Sequence, residues 1–307
     1  AAVVQQLAQE TNLDRYGVMY PAQQEHERYR LSEWCSNNTD KLFNDSQGQL
    51  ELQAWVSSLG LDSEKYRDGL ELDIFIPSLK IGIEYNGLYR HSELFKARDY
   101  HLKKTNHFLE KGVRTIHIWD WEWKKRKSQV QSFIRSALGK NENKVGARKC
   151  QVTWSDSSRD KKLVKEFLDT YHIQGAVRCR YVIKILYGKE LVAAATFGKH
   201  HRNSKEWVLS RFCTKMNWTV QGGLAKLSKL ASQKLQSDII SWADYRLSQG
   251  NGYEQAGWIK EERLAPDYVY YKQFEIISKQ SRQKSKVNTP KGMTEHQHAA
   301  QDGLVRV

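Results

Sequence analysis

The chain has 307 residues, enough for two domains of ordinary size, each with its own core. Lysine and arginine number 49 against 35 acids, a formal charge of +14, which points to a polyanionic partner such as nucleic acid or an anionic membrane surface. No apolar run of membrane-spanning length and no signal-peptide pattern occur, so nucleic acid is the expected partner and a membrane is not.

Residues 1–45 are polar and helical in parts, broken at Tyr16-Gly17 and Pro21, and read as a helical extension. Ser46 to Leu59 predicts an amphipathic helix, because Leu52, Trp55, Val56 and Leu59 recur at three- and four-residue steps. Leu70 to Ile76 and Leu79 to Glu84 are apolar runs separated by Pro77-Ser78, the pattern of a β-hairpin. Two acids sit on it, Asp73 and Glu84. A carboxylate in a strand that otherwise reads as core is costly to bury unless paired, and a divalent metal is a usual partner. Ser92 to Lys111 predicts a helix closed by Gly112, and Val113 to Trp119 a third strand, so the acids are expected at one edge of an α/β layer.

Lys124, Lys125, Arg126 and Lys127 form a basic cluster suited to phosphate contacts, and residues 139–149, ending in Lys149, read as a basic linker. In the second half, Lys161 to Thr170 predicts a helix, Arg180 to Tyr187 and Leu191 to Phe197 a hairpin through Gly188-Lys189, and Trp207 to Cys213 a further strand. Gln221-Gly222-Gly223 opens a helix to Leu235, followed by an apolar Ile239 to Ala243. Residues 279–307 read as a basic tail, its closing Leu304–Val307 like the start of a strand with more to follow. Cys35, Cys150, Cys179 and Cys213 form no CxxC pair, which argues against a cysteine-based zinc site and for reduced thiols in a cytoplasm-like compartment.

An Asp on one strand followed by Glu-x-Lys on the next marks the PD-(D/E)xK nucleases. Asp73 with Glu84-Tyr85-Asn86 resembles that pattern, with Asn86 where the lysine would stand. More closely, EYNGLYRH (Glu84 to His91) resembles the very-short-patch-repair endonucleases and related phage homing endonucleases, the EDxHD group, over about residues 45–125. The resemblance implies that Asp73 and Glu84, with the Tyr85 carbonyl, hold Mg²⁺ or Mn²⁺, and that His91 acts as general base or stabilises the leaving oxygen. Its second Asp falls near Asp99 or His101, and Lys104 stands in for the missing lysine. Its helix glutamate matches Gln49, and a neutral amide cannot serve as a base, so either Glu51 substitutes or activity is weakened. Thr11 to Gln24 resembles a short repeat that often precedes such nuclease domains, which implies that the extension at 1–45 contacts DNA, with Arg15 as one contact. Residues 150–275 resemble the N-acetyltransferase (GNAT) fold and the Mom-like DNA-modification proteins, with Arg211, Asp244, Tyr245 and Arg246 as a remnant site or, for Arg211 and Asp244, a structural ion pair.

The expected fold class is α/β (α+β): a nuclease-like domain at 46–138 and a GNAT-like domain at 150–278, between the helical extension and the tail. The expected function is a magnesium-dependent, homing-type, double-stranded DNA endonuclease acting in the cytoplasm of a host cell, as monomer or homodimer. The alternatives are a DNA-modifying acyltransferase with a DNA-binding front domain, or a catalytically weakened DNA-binding protein.

Overall fold

A computed structural model describes residues 9–14, 46–201, 203–262, 264–272 and 275–307. Arg15 and most of the repeat-like segment lie outside these residues; residues 9–14 are helical. The chain is mixed α/β and divides into two units, Ala1–Trp121 with Leu264–Val307, and Glu122–Arg263. Among the described residues no helix is long and apolar enough to cross a membrane.

In the first unit, α1 (Gln47–Ser58) starts where Ser46 accepts a hydrogen bond from the Gln49 amide, and Leu52 and Val56, four residues apart, are fully buried. A four-stranded sheet follows in the order β1 (Glu64–Asp68), β2 (Leu70–Ile76), β3 (Ile81–Asn86), β4 (Arg114–Trp119). The expected hairpin is β2–β3, antiparallel in the register Ile74↔Ile83, Phe75↔Gly82 and Ile76↔Ile81. Its turn is a single 3₁₀ turn, Pro77–Leu79, closed by Lys80 in the left-handed conformation at φ 52°. Because α2 (Tyr100–Glu110) carries the chain back across the sheet, β4 joins β3 in parallel, with Glu84 opposite His117 and Asn86 opposite Trp119. The acid-bearing strands are therefore the two central ones rather than an edge.

Three boundaries differ from the expectation. The helix foreseen from Ser92 begins only at Tyr100, because the preceding segment bonds to the C-terminal stretch: Glu93 N–H donates to the Arg306 carbonyl at 2.9 Å, and Arg98 Nη2 to the Pro266 carbonyl at 2.8 Å. Residues 279–307 are accordingly not a separate tail. They supply α8 (Glu295–Gln301), capped by a Thr294/Gln297 capping box, and β14 (Val305–Arg306), which pairs with β12 (Tyr270–Lys272) beside β13 (Glu275–Ile277) over buried Tyr270, Ala299 and Leu304. Residues 139–149 are not a linker: β5 (Asn143–Gly146) pairs in parallel with β10 (Trp218–Gln221), and Asn141, Val145 and Ala147 are buried.

The second unit opens with α3 (Asp120–Lys125) and α4 (Lys127–Ala137) and is built on a five-stranded sheet in the order β11-β9-β8-β7-β6. Its strands are β6 (Gln151–Ser155), β7 (Tyr181–Tyr187), β8 (Glu190–Lys199), β9 (Trp207–Thr214) and β11 (Ile239–Ile240). Alternation along β7 and β8 assigns the faces. Val182 and Ala194 pack with Val164, Phe167 and Leu168 of α5 (Ser158–Tyr171), whereas Ile183, Ile185, Ala193 and Ala195 pack with Leu227 and Ala231 of α6 (Gly223–Leu235). Gly222, at φ 70°, makes the turn into α6, and α7 (Asn251–Gln255) follows.

Candidate active site

The β2–β3 ladder runs to Ile74↔Ile83, and beyond it side chains take over the bonding. The Tyr85 amide donates to Asp73 Oδ2 at 2.8 Å, and the Asp73 amide donates to Glu84 Oε1 at 3.3 Å. Each carboxylate thus satisfies a backbone N–H of the diverging strands, which fixes both acids close together. Behind them, α2 turns one face to the sheet: His101, Lys104, Thr105 and Phe108, at the i, i+3, i+4, i+7 spacing. The Lys104 ammonium forms a buried ion pair with Glu84 Oε2. Two carboxylates and one ammonium therefore meet under α2, with Glu84 and Lys104 enclosed and Asp73 still partly open to solvent.

Charge accounting explains the electrostatics. Burial, reinforced by the Glu84 charge and only partly offset by Lys104, pushes the Asp73 carboxyl up to about 7. For Lys104, burial pulls the other way, but the carboxylates of Glu84 and Asp73, together with Tyr100, outweigh it and hold the ammonium up at about 12. Lys104 is charged throughout the working pH range, while Asp73 titrates near neutrality.

A second group of polar side chains continues from the first along the same face. Asn86 Nδ2 lies 3.3 Å from His117 Nδ1, and Thr105 Oγ1 lies 2.8 Å from His117 Nε2. Asn86 carries no charge, and the cation nearest the acids is Lys104, from α2. His91 stacks on His101 with centroids 5.0 Å apart and planes at 20°, and His101 in turn meets His117 and Trp119 edge-on, each at 5.2 Å. Burial holds both rings neutral: His91 is taken well below its ordinary value, aided by His101, Lys96 and Lys104, and His101 down to about 3, aided by Lys104 and Lys96. His91 Nδ1 and both His101 ring nitrogens are buried without a hydrogen-bond partner.

The remaining expected residues lie elsewhere. Asp99 is displaced from the role given to it: at the first turn of α2 it pairs with Lys103 at 2.9 Å, the i,i+4 geometry, with 44 % of its side chain exposed. Gln49 is buried at the third position of α1, and Glu51 is exposed. The Tyr85 phenol leaves the carboxylate cluster and presses on α1, so that a Cβ at Gly48 would stand 2.0 Å from its hydroxyl oxygen. Burial, with Asp120 and Glu51 nearby, pushes that phenol up to about 12. In the basic cluster, Lys124 and Lys125 are exposed, Lys127 lies over the Trp123 ring at 4.9 Å, and Lys149 is exposed. Arg126 is not available in the expected way, because Nη1 donates to the Ile173 carbonyl at 2.8 Å.

His117 and Thr105 were missed by the sequence reading. For His117 a signal was available, a histidine between two isoleucines of the expected strand, which the structure places opposite Glu84. In the second unit, Arg211 and Asp244 do not pair. Arg211 Nε donates to the Gly175 carbonyl at 3.1 Å, and Asp244 pairs with Arg246 at 3.1 Å. Arg246 also grips buried Glu122 with two bonds of 2.7 and 2.8 Å. Among the described residues no three His, Cys, Asp or Glu side chains gather closely enough to hold a metal ion by themselves.

No family model and no curated protein matches the chain. Among solved structures, an aminoglycoside acetyltransferase from an uncultured soil metagenomic sample is similar at a TM-score of 0.31. Its complexes with trehalose and sisomicin are 15% and 14% identical, over 38% of this chain and 93% of that one. A likeness this weak assigns nothing, and the mixed α/β description rests on the strand order itself.

Proposed function

We propose that the first unit hydrolyses phosphodiester bonds in double-stranded DNA with the help of a divalent metal, in the manner of the PD-(D/E)xK nucleases. The observation that carries this reading is the meeting of Asp73, Glu84 and Lys104 in one partly open cluster. A purely structural ion pair needs one acid for one base. Here a second acid is held beside the first, and burial with that neighbouring charge drives its proton affinity up.

A divalent cation is the ordinary relief for such a pair, and the donors fit one: Mg²⁺ and Mn²⁺ take one or two protein carboxylates and fill the rest of their shell with water and substrate phosphate. Asp73 and Glu84 would hold the ion, which supplies Lewis-acid polarisation of the phosphoryl oxygen and a more acidic bound water. The chain's own residues do the rest. Lys104 orients Glu84 and adds fixed positive charge beside the carboxylates, where the reacting phosphate gathers negative charge. His91, to which the resemblance gives the general-base role, stacks on His101, and its lowered proton affinity makes it a weaker base than an exposed histidine. The formal charge of +14 and the exposed Lys124, Lys125 and Lys149 supply phosphate contacts, so binding should weaken steeply with salt.

The test is conversion of supercoiled plasmid to nicked or linear DNA with Mg²⁺ or Mn²⁺. Asp73→Ala, Glu84→Gln and Lys104→Met are each expected to reduce it at least ~100-fold while the far-UV circular dichroism is kept. Cutting by Asp73→Ala at the parent rate refutes the assignment.

A further inference from the structure

In the second unit a cavity of about 450 Å³ opens between α5, the loop that follows it and β8. This lies within the size range of small-molecule sites. Its rim is cationic: Lys161, Lys162 and Lys165 come from α5, and Arg178 from the loop. Among these, Lys165 is paired, its Nζ donating to Asp169 Oδ2 at 2.7 Å, with Glu166 also near it. Ala176 and Val177 line an apolar wall. At the floor lies Thr196, 2 % exposed, whose Oγ1 has no hydrogen-bond partner. A buried hydroxyl without a partner costs free energy in the empty protein and becomes satisfied when a ligand acceptor reaches it.

The loop wall is held in place independently of any ligand. The Ala176 amide donates to Asp169 Oδ1 at 2.8 Å, and Arg211 Nε and the His172 carbonyl fix Gly175 from either side. A fixed wall lowers the ordering cost of binding. Another cavity of similar size, lined by Cys150, Lys226 and Lys229, lacks this character, because the Lys226 ammonium is already engaged by the Ala147 and Cys150 carbonyls, each at 2.8 Å.

We infer that the α5–β8 cavity binds an organic phosphate of nucleotide size. The phosphate sits among Lys161, Lys162 and Arg178, the apolar body rests against Ala176 and Val177, and an acceptor atom takes the Thr196 hydroxyl. The site is separate from the carboxylate cluster of the first unit and does not depend on the function proposed for it.

The experiment is calorimetric titration of the full chain with dAMP at low salt, repeated with a 5′-phosphorylated duplex present. Saturable one-site binding is expected. It should weaken at least ~10-fold in Lys161→Glu and in Arg178→Glu, and about 3- to 10-fold in Thr196→Val, which removes the hydroxyl at nearly constant shape and should leave the thermal midpoint unchanged or raised. Lys189→Glu, on the exposed β7–β8 turn, controls for general charge. Competition by the duplex identifies a DNA terminus as the source of the phosphate, and indifference to it a free nucleotide. No binding of dAMP, or an equal loss in Lys189→Glu and Lys161→Glu, overturns the inference.

Discussion

Replacing Asp73 by asparagine keeps the shape of the side chain and an acceptor for the Tyr85 amide, but removes the charge. The parent carboxyl moves from 3.8 in the unfolded chain to about 7 in the folded one. An acid raised on folding contributes stability that is fully present below 3.8 and lost as the pH rises through 7, since above that point the folded state must carry a charge it holds poorly. At about 1.36 kcal/mol per tenfold change in proton affinity the upper limit is ~4 kcal/mol. Asp73 keeps partial contact with solvent, and screening lowers the expected effect to about 1–2 kcal/mol. Asp73→Asn should therefore gain about 1–2 kcal/mol on the parent between pH 4.5 and pH 8. The hydrogen-bond change is the same at both pH values and cancels, as do the contributions of His91 and His101. Hydrogen exchange of the peptide spanning residues 70–86 reads this locally. With Mg²⁺ at pH 8 the parent's exchange should slow and the variant's should not, because a ligand that binds only the folded state stabilises it by mass action. A stability difference that does not vary with pH refutes the charge argument, and equal protection of both proteins by Mg²⁺ refutes the metal-binding role of Asp73.

Lys104→Met should cost about 3–5 kcal/mol at pH 8 by leaving Glu84 buried without its cation, and the double variant Lys104→Met/Glu84→Gln should recover most of that loss; chemical denaturation of the three proteins checks both. Gly48→Ala should destabilise by about 1–3 kcal/mol, because the new Cβ would stand 2.0 Å from the Tyr85 hydroxyl oxygen and 2.4 Å from Cζ, and Tyr85→Leu, which removes both atoms, should relieve it, so a double-mutant cycle without coupling counts against that contact. His101 is depressed on folding, so its contribution is present above pH 6.5 and lost as the pH falls toward 3; His101→Phe, which cannot take up a proton, should flatten acid destabilisation in that window, as thermal melts from pH 7 to pH 4 will show.

The β2–β3 hairpin, the strand β4 after the helix and the β7–β8 hairpin were legible because apolar runs and turn residues act locally. The start of α2 was not. Ser92 to Asp99 has helix-forming composition, but its partners, Arg306 and Pro266, lie more than 160 residues later in the chain, and no local pattern announces such bonds. The strand in residues 139–149 was hidden for a related reason. A polar, glycine-containing segment reads as a linker until a distant strand, here Trp218–Gln221, offers its backbone bonds a partner.

The candidate site was legible to the extent that its members break the pattern around them. Asp73 and Glu84 interrupt apolar strands, and burying a charge there requires a partner, which pointed to both acids and to the need for a cation. The pattern that names the cation is subtler. Lys104 and Lys103 are equivalent in composition, and only helical phase separates them: Lys104 shares the face of Thr105 and Phe108 and is enclosed with Glu84, while Lys103 turns outward to Asp99. The same phase places His101 inward and Asp99 outward, a difference of orientation that spacing alone had left open. A helix whose inner face carries His, Lys and Thr beside a single Phe does not bury apolar area efficiently. At its C-terminal half Phe108 packs on Leu72, Phe75 and Val113, and toward the acids its position is fixed by charge and hydrogen bonding to Glu84 and His117. Removing the acids of the sheet should therefore loosen α2 more than it disturbs the apolar ladder of β2 and β3, an order of effects that an apolar core beneath the helix would reverse.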